Sequence, residues 1–375
     1  MPKTILVRAP NWIGDQILAF PFFYFLRQAF PKARIVSVCS PWVESVQFRQ
    51  QVDEIIVLPR LLSREWLHRV ETLEKGAKLL KQRGPWDLAI SLPNSFTAAW
   101  QIFRAGSKIR RGYSMEGRGF LLNQKESWRE GSQLHRADAY LHLLPSEARP
   151  QLSSAKFWGV PSENELDPDE PGVLNFFDSA KEWGISDLSE ELVQPPLEKY
   201  WILAPGSTAE SRRWPIERFV SLARRIADET GWTGVIVGGL AEALLAERLC
   251  IESSRSGVRL LDRTAQGSVS GLWKLFKNAH FTVANDSGLA HVAALCGSPV
   301  QVIWGAGDPK KTRPIGPGQV ELSLNAVDCW PCERNICEQL EPKRLECLNG
   351  IAIEAIWNGI DQMIARQLRR KESFS

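Results

Sequence analysis

Short runs rich in Ile, Leu and Val alternate with longer amphipathic stretches from the start of the chain. Residues 4–8 read as a strand and 15–30 as a helix stopped by Pro31. Residues 34–39 read as a strand ended by Ser40-Pro41, and 54–58 as another. Residues 65–83 carry helical periodicity, with Lys and Arg at the C-terminal end where the helix dipole favours cations. Residues 87–91 form a strand closed by Leu92-Pro93-Asn94. Alternation of this kind predicts a parallel sheet covered by helices on both faces. The polar stretch PSENELDPDEP at 161–171 breaks the pattern, as does 186–198. The pattern then repeats, with strands at 201–204, 233–237, 258–261, 281–284 and 300–304 and helices between them. The expected fold class is therefore α/β, with two doubly wound domains in series, 1–185 and 186–350. The amphipathic segment 351–375, basic at its end, is expected to pack back on the N-terminal domain.

The loops between strands and helices carry the chemistry. NDSGLAH, at 285–291, puts four small or polar residues between a strand and a helix. A helix N-terminus offers free N–H groups and partial positive charge to an anion. Gly288 lets a ligand come close to the backbone. Asp286 or Ser287 can instead simply cap the helix, so that loop alone does not decide. PGSTAESRRWP at 205–215 adds weight: Ser207 and Thr208 follow a strand, and Arg212 and Arg213 follow them. Amides, hydroxyls and a guanidinium on one loop suit a diphosphate. The chain has neither GxGxxG after its first strand nor GxxxxGK[ST], which argues against dinucleotide dehydrogenases and P-loop NTPases. In APNWIGD, at 9–15, Asp15 falls where a helix begins. It reads as an ordinary first-turn acid or as a general base aimed at a hydroxyl.

Composition narrows the class. Of 375 residues, 44% are hydrophobic and 24% charged, as in globular proteins, and a net charge of +3 is too small to argue for nucleic acid. No window approaches the ~18 apolar residues of a membrane span, and the N-terminus lacks a signal-peptide pattern, so a cytoplasmic protein is expected. Lys108, Arg110, Arg111 and Arg118 form a basic stretch, read either as a solvated face or as a contact for acidic groups. Asp167-Pro168-Asp169 resembles a metal-binding pair but sits in the proline-rich linker and is taken as solvated loop. Cys329, Cys332, Cys337 and Cys347 fall as C-x2-C-x4-C-x9-C. They raise zinc or iron–sulfur binding against a packing role, and the spacing fits no standard zinc module. No metal ligand and no cofactor are assigned.

Taken together, RAPNWIGDQILAFP, LPNSFTAAW, KIRRGYSMEGRGFLLN, HRADAYLHLL, APGSTAESRRWP, VGGLAEALLAERL and NDSGLAHVAALCGSP resemble glycosyltransferase family 9, the bacterial heptosyltransferases of lipopolysaccharide inner-core assembly. W-I-G-D and L-P-N-S are most similar to the heptosyltransferase II branch. The resemblance implies a GT-B fold, two Rossmann-like domains facing across a cleft, with acceptor on the N-terminal side and nucleotide sugar on the C-terminal side. It implies an inverting, metal-independent transfer from ADP-heptose to a lipid-linked core acceptor. Asp15 would be the base. Ser207, Thr208, Arg212, Glu242, Asp286, Ser287, Gly288, Leu289 and His291 would bind the donor, and Asn11, Trp12, Arg111 and Arg118 the acceptor. His135 could orient the acceptor but reads better as structural. Arg212 stands where the family usually has Lys; it can still neutralise a diphosphate, bidentately. The basic stretch and the tail at 369–371 suggest peripheral contact with the anionic inner membrane. A same-fold enzyme using another nucleotide sugar or acceptor, and a non-catalytic nucleotide-sugar or metal-binding protein, are the rival readings.

Overall fold

The computed structural model of the chain describes residues 1–59, 65–159, 177–185 and 192–372. The chain divides into two units, Met1–Ser186 and Asp187–Ser375. The first holds six parallel strands: β1 (Thr4–Arg8), β2 (Arg34–Cys39), β3 (Glu54–Val57), β4 (Leu88–Ser91), β5 (Ile109–Ser114) and β6 (Gln124–Ser127). Their order is β3-β2-β1-β4-β5-β6. In the second unit, β7 (Tyr200–Ala204), β8 (Thr233–Ile236), β9 (Leu260–Asp262), β10 (Thr282–Asn285), β11 (Val300–Trp304) and β12 (Val320–Leu324) order as β12-β11-β10-β7-β8-β9. The two orders are the same when each sheet is numbered from its own first strand. Central strands are buried on both faces: Ile5, Leu6 and Val7 in β1, and Ile202, Leu203 and Ala204 in β7, are wholly inaccessible.

Each sheet reverses its order once, at β1/β4 and at β7/β10. Helices there leave in opposite directions from the carboxyl ends of neighbouring strands, and the gap between them is where open α/β sheets bind ligands. In the first unit the loops at this point are 9–12 and 92–95. In the second they are 205–215 and 286–287.

Three features differ from the sequence expectation. The helix foreseen over 15–30 is two helices, Ile13–Leu18 and Phe20–Ala29. Pro21 lacks an amide, and its ring opposes the carbonyl four residues back, so an unbroken helix cannot pass it. Strands β5, β6 and β12 lie toward the sheet margins and have polar, partly exposed sequences that gave no apolar run. The last helix, Ile353–Glu372, expected to pack back on the N-terminal domain, places its buried Ile356, Ile360 and Met363 in the core of the second unit. It packs on helix Ile216–Thr230 and on β11 and β12, whose apolar face it completes. The Asp167/Asp169 pair lies outside the described residues. Among the described residues no helix is long and apolar enough to cross a membrane.

Ile360 is fully buried at this contact. Ile360→Ala should lower the unfolding free energy by about 2–5 kcal/mol in urea titrations. A loss below about 0.5 kcal/mol would mean that the helix is not part of the core.

Candidate active site

In the first unit, β1 runs into Ala9-Pro10-Asn11-Trp12 and then helix Ile13–Leu18, with Asp15 in its first turn. The loop is held by a buried cation. Arg8 donates to the Ala9 carbonyl at 2.6 Å, the Val38 carbonyl at 3.1 Å and Asn11 Oδ1 at 2.7 Å. Ser40 Oγ donates to the same Asn11 oxygen at 2.9 Å, and Trp42 Nε1 to the Asn11 carbonyl at 2.5 Å. Asn11 is thus a strut of the loop, its carbonyl oxygens engaged inside the protein. Trp12, 62% exposed, offers its ring to solvent beside Asp15. The Asp15 carboxylate is part-exposed and lies 3.8 Å from Arg136 Nε.

Three of the four residues of the basic stretch turn inward, and Lys108 stays exposed. Arg118 is fully buried and donates to the Tyr113, Pro93 and Ser95 carbonyls and to Asn94 Oδ1. It therefore shapes the 93–95 loop at the switch point and has no surface from which to meet an acceptor. Burial pushes its guanidinium down to about 10. Arg111 donates to the Leu143 carbonyl at 2.8 Å and pairs with Glu126, leaving little of it exposed. Arg110 is spent on the Leu121 and Ser107 carbonyls, and Lys108 on Asp87. His135 caps helix Arg136–His142, its Nδ1 accepting from the Ala137 amide.

In the second unit, three loops converge at the carboxyl ends of β7, β10 and β11. Asn285 ties two of them: its Nδ2 donates to the Pro205 carbonyl at 2.6 Å and its Oδ1 accepts from the Trp214 amide at 3.2 Å. Ser207 Oγ donates to the Asp286 carbonyl at 3.3 Å. Arg213 Nε donates to the Ser207 carbonyl at 2.6 Å, so this arginine staples its own loop, whose Thr208 stays exposed. Arg212 points elsewhere: its Nε is 3.3 Å from Asp286 Oδ2. Asp286 is 4% exposed, and burial pushes its carboxyl up to about 6 against the pull of Arg212.

Close approach explains the glycines. A Cβ on Gly307 would stand 2.8 Å from Asp286 Oδ2, and one on Gly305 would meet the Ser211 carbonyl. A Cβ on Gly206 would fall 2.6 Å from Glu242 Cγ. Glu242 Oε2 accepts from the Gly239 amide at 2.8 Å, holding the carboxylate above the ends of β7 and β8. Ser287 occupies the N-cap position of helix Gly288–Leu295, yet no side chain caps it. The capping alternative is therefore not what the loop does, and the first-turn amides, including those of Gly288 and Leu289, face their end of the helix without a side-chain acceptor. His291 is buried in the second turn of the helix.

The four clustered cysteines line one cavity of about 230 Å³ together with Ser211 and Ala306. Cys347 is buried, and burial with the three nearby sulfurs pushes its thiol up to about 11. Among the described residues no three His, Cys, Asp or Glu side chains are grouped to hold a metal ion. This loop is fastened to the donor-side loops: Ser211 N–H donates to the Asn335 carbonyl, and Trp330 Nε1 to the Gly305 carbonyl.

Arg136 and Gly305–Gly307 were not found from sequence. The glycines had a signal, a Gly-Ala-Gly directly after a strand. Arg136 had none, because its meeting with Asp15 is set by packing of two helices far apart in the chain.

Comparison with known proteins gives the family and the fold. The profile of glycosyltransferase family 9 (heptosyltransferase) matches residues 75–341. Lipooligosaccharide heptosyltransferase 2 of Haemophilus ducreyi is 25% identical over 325 residues, 85% of this chain and 88% of its own. Lipopolysaccharide heptosyltransferase 2 of Escherichia coli is 27% identical, covering 83% of this chain and 85% of its own. The structure of E. coli ADP-heptose lps heptosyltransferase II superposes with a TM-score of 0.68 at 19% identity, over 97% of this chain and 99% of that one.

The raised Asp286 carboxyl sets a pH dependence. A carboxyl raised by folding favours the folded state when protonated, and that contribution is lost as pH rises through about 6. Relative to Asp286→Asn, the native chain should lose about 1 kcal/mol of stability between pH 5 and pH 7.5. Parallel thermal melts that track each other across this range would contradict the assignment.

Proposed function

Because the chain belongs to glycosyltransferase family 9, the heptosyltransferase family, we propose that it transfers heptose from ADP-heptose to the inner core of lipopolysaccharide, with inversion and without a metal. In this reading Asp15 takes the proton of an acceptor hydroxyl as that oxygen bonds to the anomeric carbon. The bond from that carbon to the β-phosphate oxygen breaks, and ADP leaves with the electron pair. One displacement inverts the configuration. The first-turn amides of helix Gly288–Leu295 and the Arg212 guanidinium take up the charge gained by ADP. Ser207 and Thr208 contact phosphate, Glu242 the ribose, and His291 the transferred sugar.

The observation that carries this reading is that each unit presents one such loop at its own reversal point. One presents a carboxylate at the end of β1, the other an uncapped helix N-terminus beside a guanidinium at the end of β7 and β10. The relatives named as heptosyltransferase 2 support the choice of sugar and acceptor. On the acceptor side this reading gives contact with the acceptor to the exposed Trp12 and the shaping of the loops to Asn11, Arg111 and Arg118. The reaction is expected in the cytoplasm, with the chain meeting its lipid-linked acceptor at the inner membrane.

Asp15→Asn tests the mechanism. ADP release from ADP-heptose, with lipopolysaccharide truncated in its inner core as acceptor, should fall by about 10³-fold. ADP affinity should stay within about twofold, since the donor loops belong to the other unit. Retention of most of the activity would remove Asp15 as the base.

A further inference from the structure

Strand β2 ends at Cys39, and the chain enters the short turn Pro41–Val43 at the carboxyl edge of the first sheet. This turn packs on helix Ile13–Leu18. Its apolar residues meet different fates. Val43 is wholly buried, as is Val46 beyond it, yet the larger Trp42 is 51% exposed. Trp42 is not loose. Its Nε1 donates to the Asn11 carbonyl at 2.5 Å, which fastens the indole to the loop that ends at Trp12. Trp12 is exposed as well.

A half-exposed indole forgoes part of the about 150–250 Å² that such a ring buries in a core. One exposed ring needs no explanation. Here two stand on adjoining loops at a strand-end edge, and one of them is hydrogen-bonded in place. A ring already held in one orientation loses little entropy when a ligand covers it. Its N–H is spent on the protein, so what it offers a ligand is its apolar face. The neighbouring charge narrows the choice of ligand. Segment 40–48 carries the exposed Glu44 and no Lys or Arg. An anionic lipid surface would be repelled there. A pyranose ring is uncharged, and it can turn a C–H face to the indole and its hydroxyls to water and to polar neighbours.

We infer that Trp42 is an acceptor-binding residue, its indole face covering the C–H face of a pyranose ring of the acceptor saccharide. The inference deepens the proposed function and rests on its reading of loop 9–12 as the place where the acceptor binds.

Two substitutions separate the ring from its hydrogen bond. Trp42→Gln keeps an N–H donor for the Asn11 carbonyl and removes the ring. Trp42→Phe keeps a ring and removes the donor. The acceptor is inner-core-truncated lipopolysaccharide stripped of its acyl chains, used in the ADP-release assay. Trp42→Gln should raise the acceptor KM about tenfold, with kcat and the KM for ADP-heptose within about twofold of native. Trp42→Phe should keep the acceptor KM within about threefold. The opposite order would make Trp42 a brace of the loop and overturn the proposal. A loss confined to kcat, an unmoved KM in Trp42→Gln, or an effect that appears only with acyl chains present would overturn it too. Should Trp42→Gln not fold, tryptophan oxidation of the native chain, mapped by mass spectrometry, decides: saturating oligosaccharide should slow oxidation of Trp42 severalfold, and an unchanged rate would overturn the proposal. If the native chain neither turns over this oligosaccharide nor binds it in calorimetry, the acceptor reading itself falls, and this inference with it.

Discussion

Everything at the two sites depends on one topological constraint, the reversal of strand order at β1/β4 and again at β7/β10. Parallel strands joined by right-handed crossovers place all their carboxyl ends on one edge of a sheet. At the reversal the covering helices part, and the loops there cannot bury one another. Residues 9–15 and 92–95 occupy that position in the first unit, and 205–215 and 286–288 in the second. The chemistry therefore sits where the backbone leaves room, and the sheets' apolar centres hold these loops steady.

The second unit uses that room to keep a carboxylate where few carboxylates survive. Asp286 is nearly buried, with Arg212 at 3.3 Å and the backbone of Gly307 closed against it. Burial disfavours its charge more than Arg212 restores it, which is why its carboxyl is pushed up to about 6. An anionic diphosphate beside an ionised carboxylate would be repelled. For the diphosphate proposed to bind here, Arg212 and partial protonation would reduce that repulsion, and the uncapped helix end would add attraction. Substituting Arg for Lys keeps the charge and adds a fork able to hold two oxygens.

The sequence was most legible where a feature is local. The central strands showed as short apolar runs, and NDSG and PGST showed as small-residue loops at strand ends. Strands β5, β6 and β12, toward the sheet margins, did not show, because half-exposed strands need no apolar run. The arginines misled for a related reason. Arg111 and Arg118 looked like surface charge, yet their long side chains fold inward and satisfy loop carbonyls. Asn11 looked like a ligand contact, and its carbonyl oxygens brace the loop. Such outcomes depend on which carbonyls tertiary packing leaves unmatched, and no spacing rule carries that. Arg136 and Asp15 are 121 positions apart in sequence, so their meeting was visible only in the fold.

The central claim is that the loops at β7/β10 recognise an adenine nucleoside diphosphate through amides and a guanidinium. Calorimetric titration of ADP and of UDP into the purified chain, with EDTA present, tests it most directly. The account predicts ADP binding in EDTA, at least about tenfold tighter than UDP, a gap of 1.4 kcal/mol or more. Preference for UDP, or binding of neither nucleotide until a divalent ion is added, would contradict it.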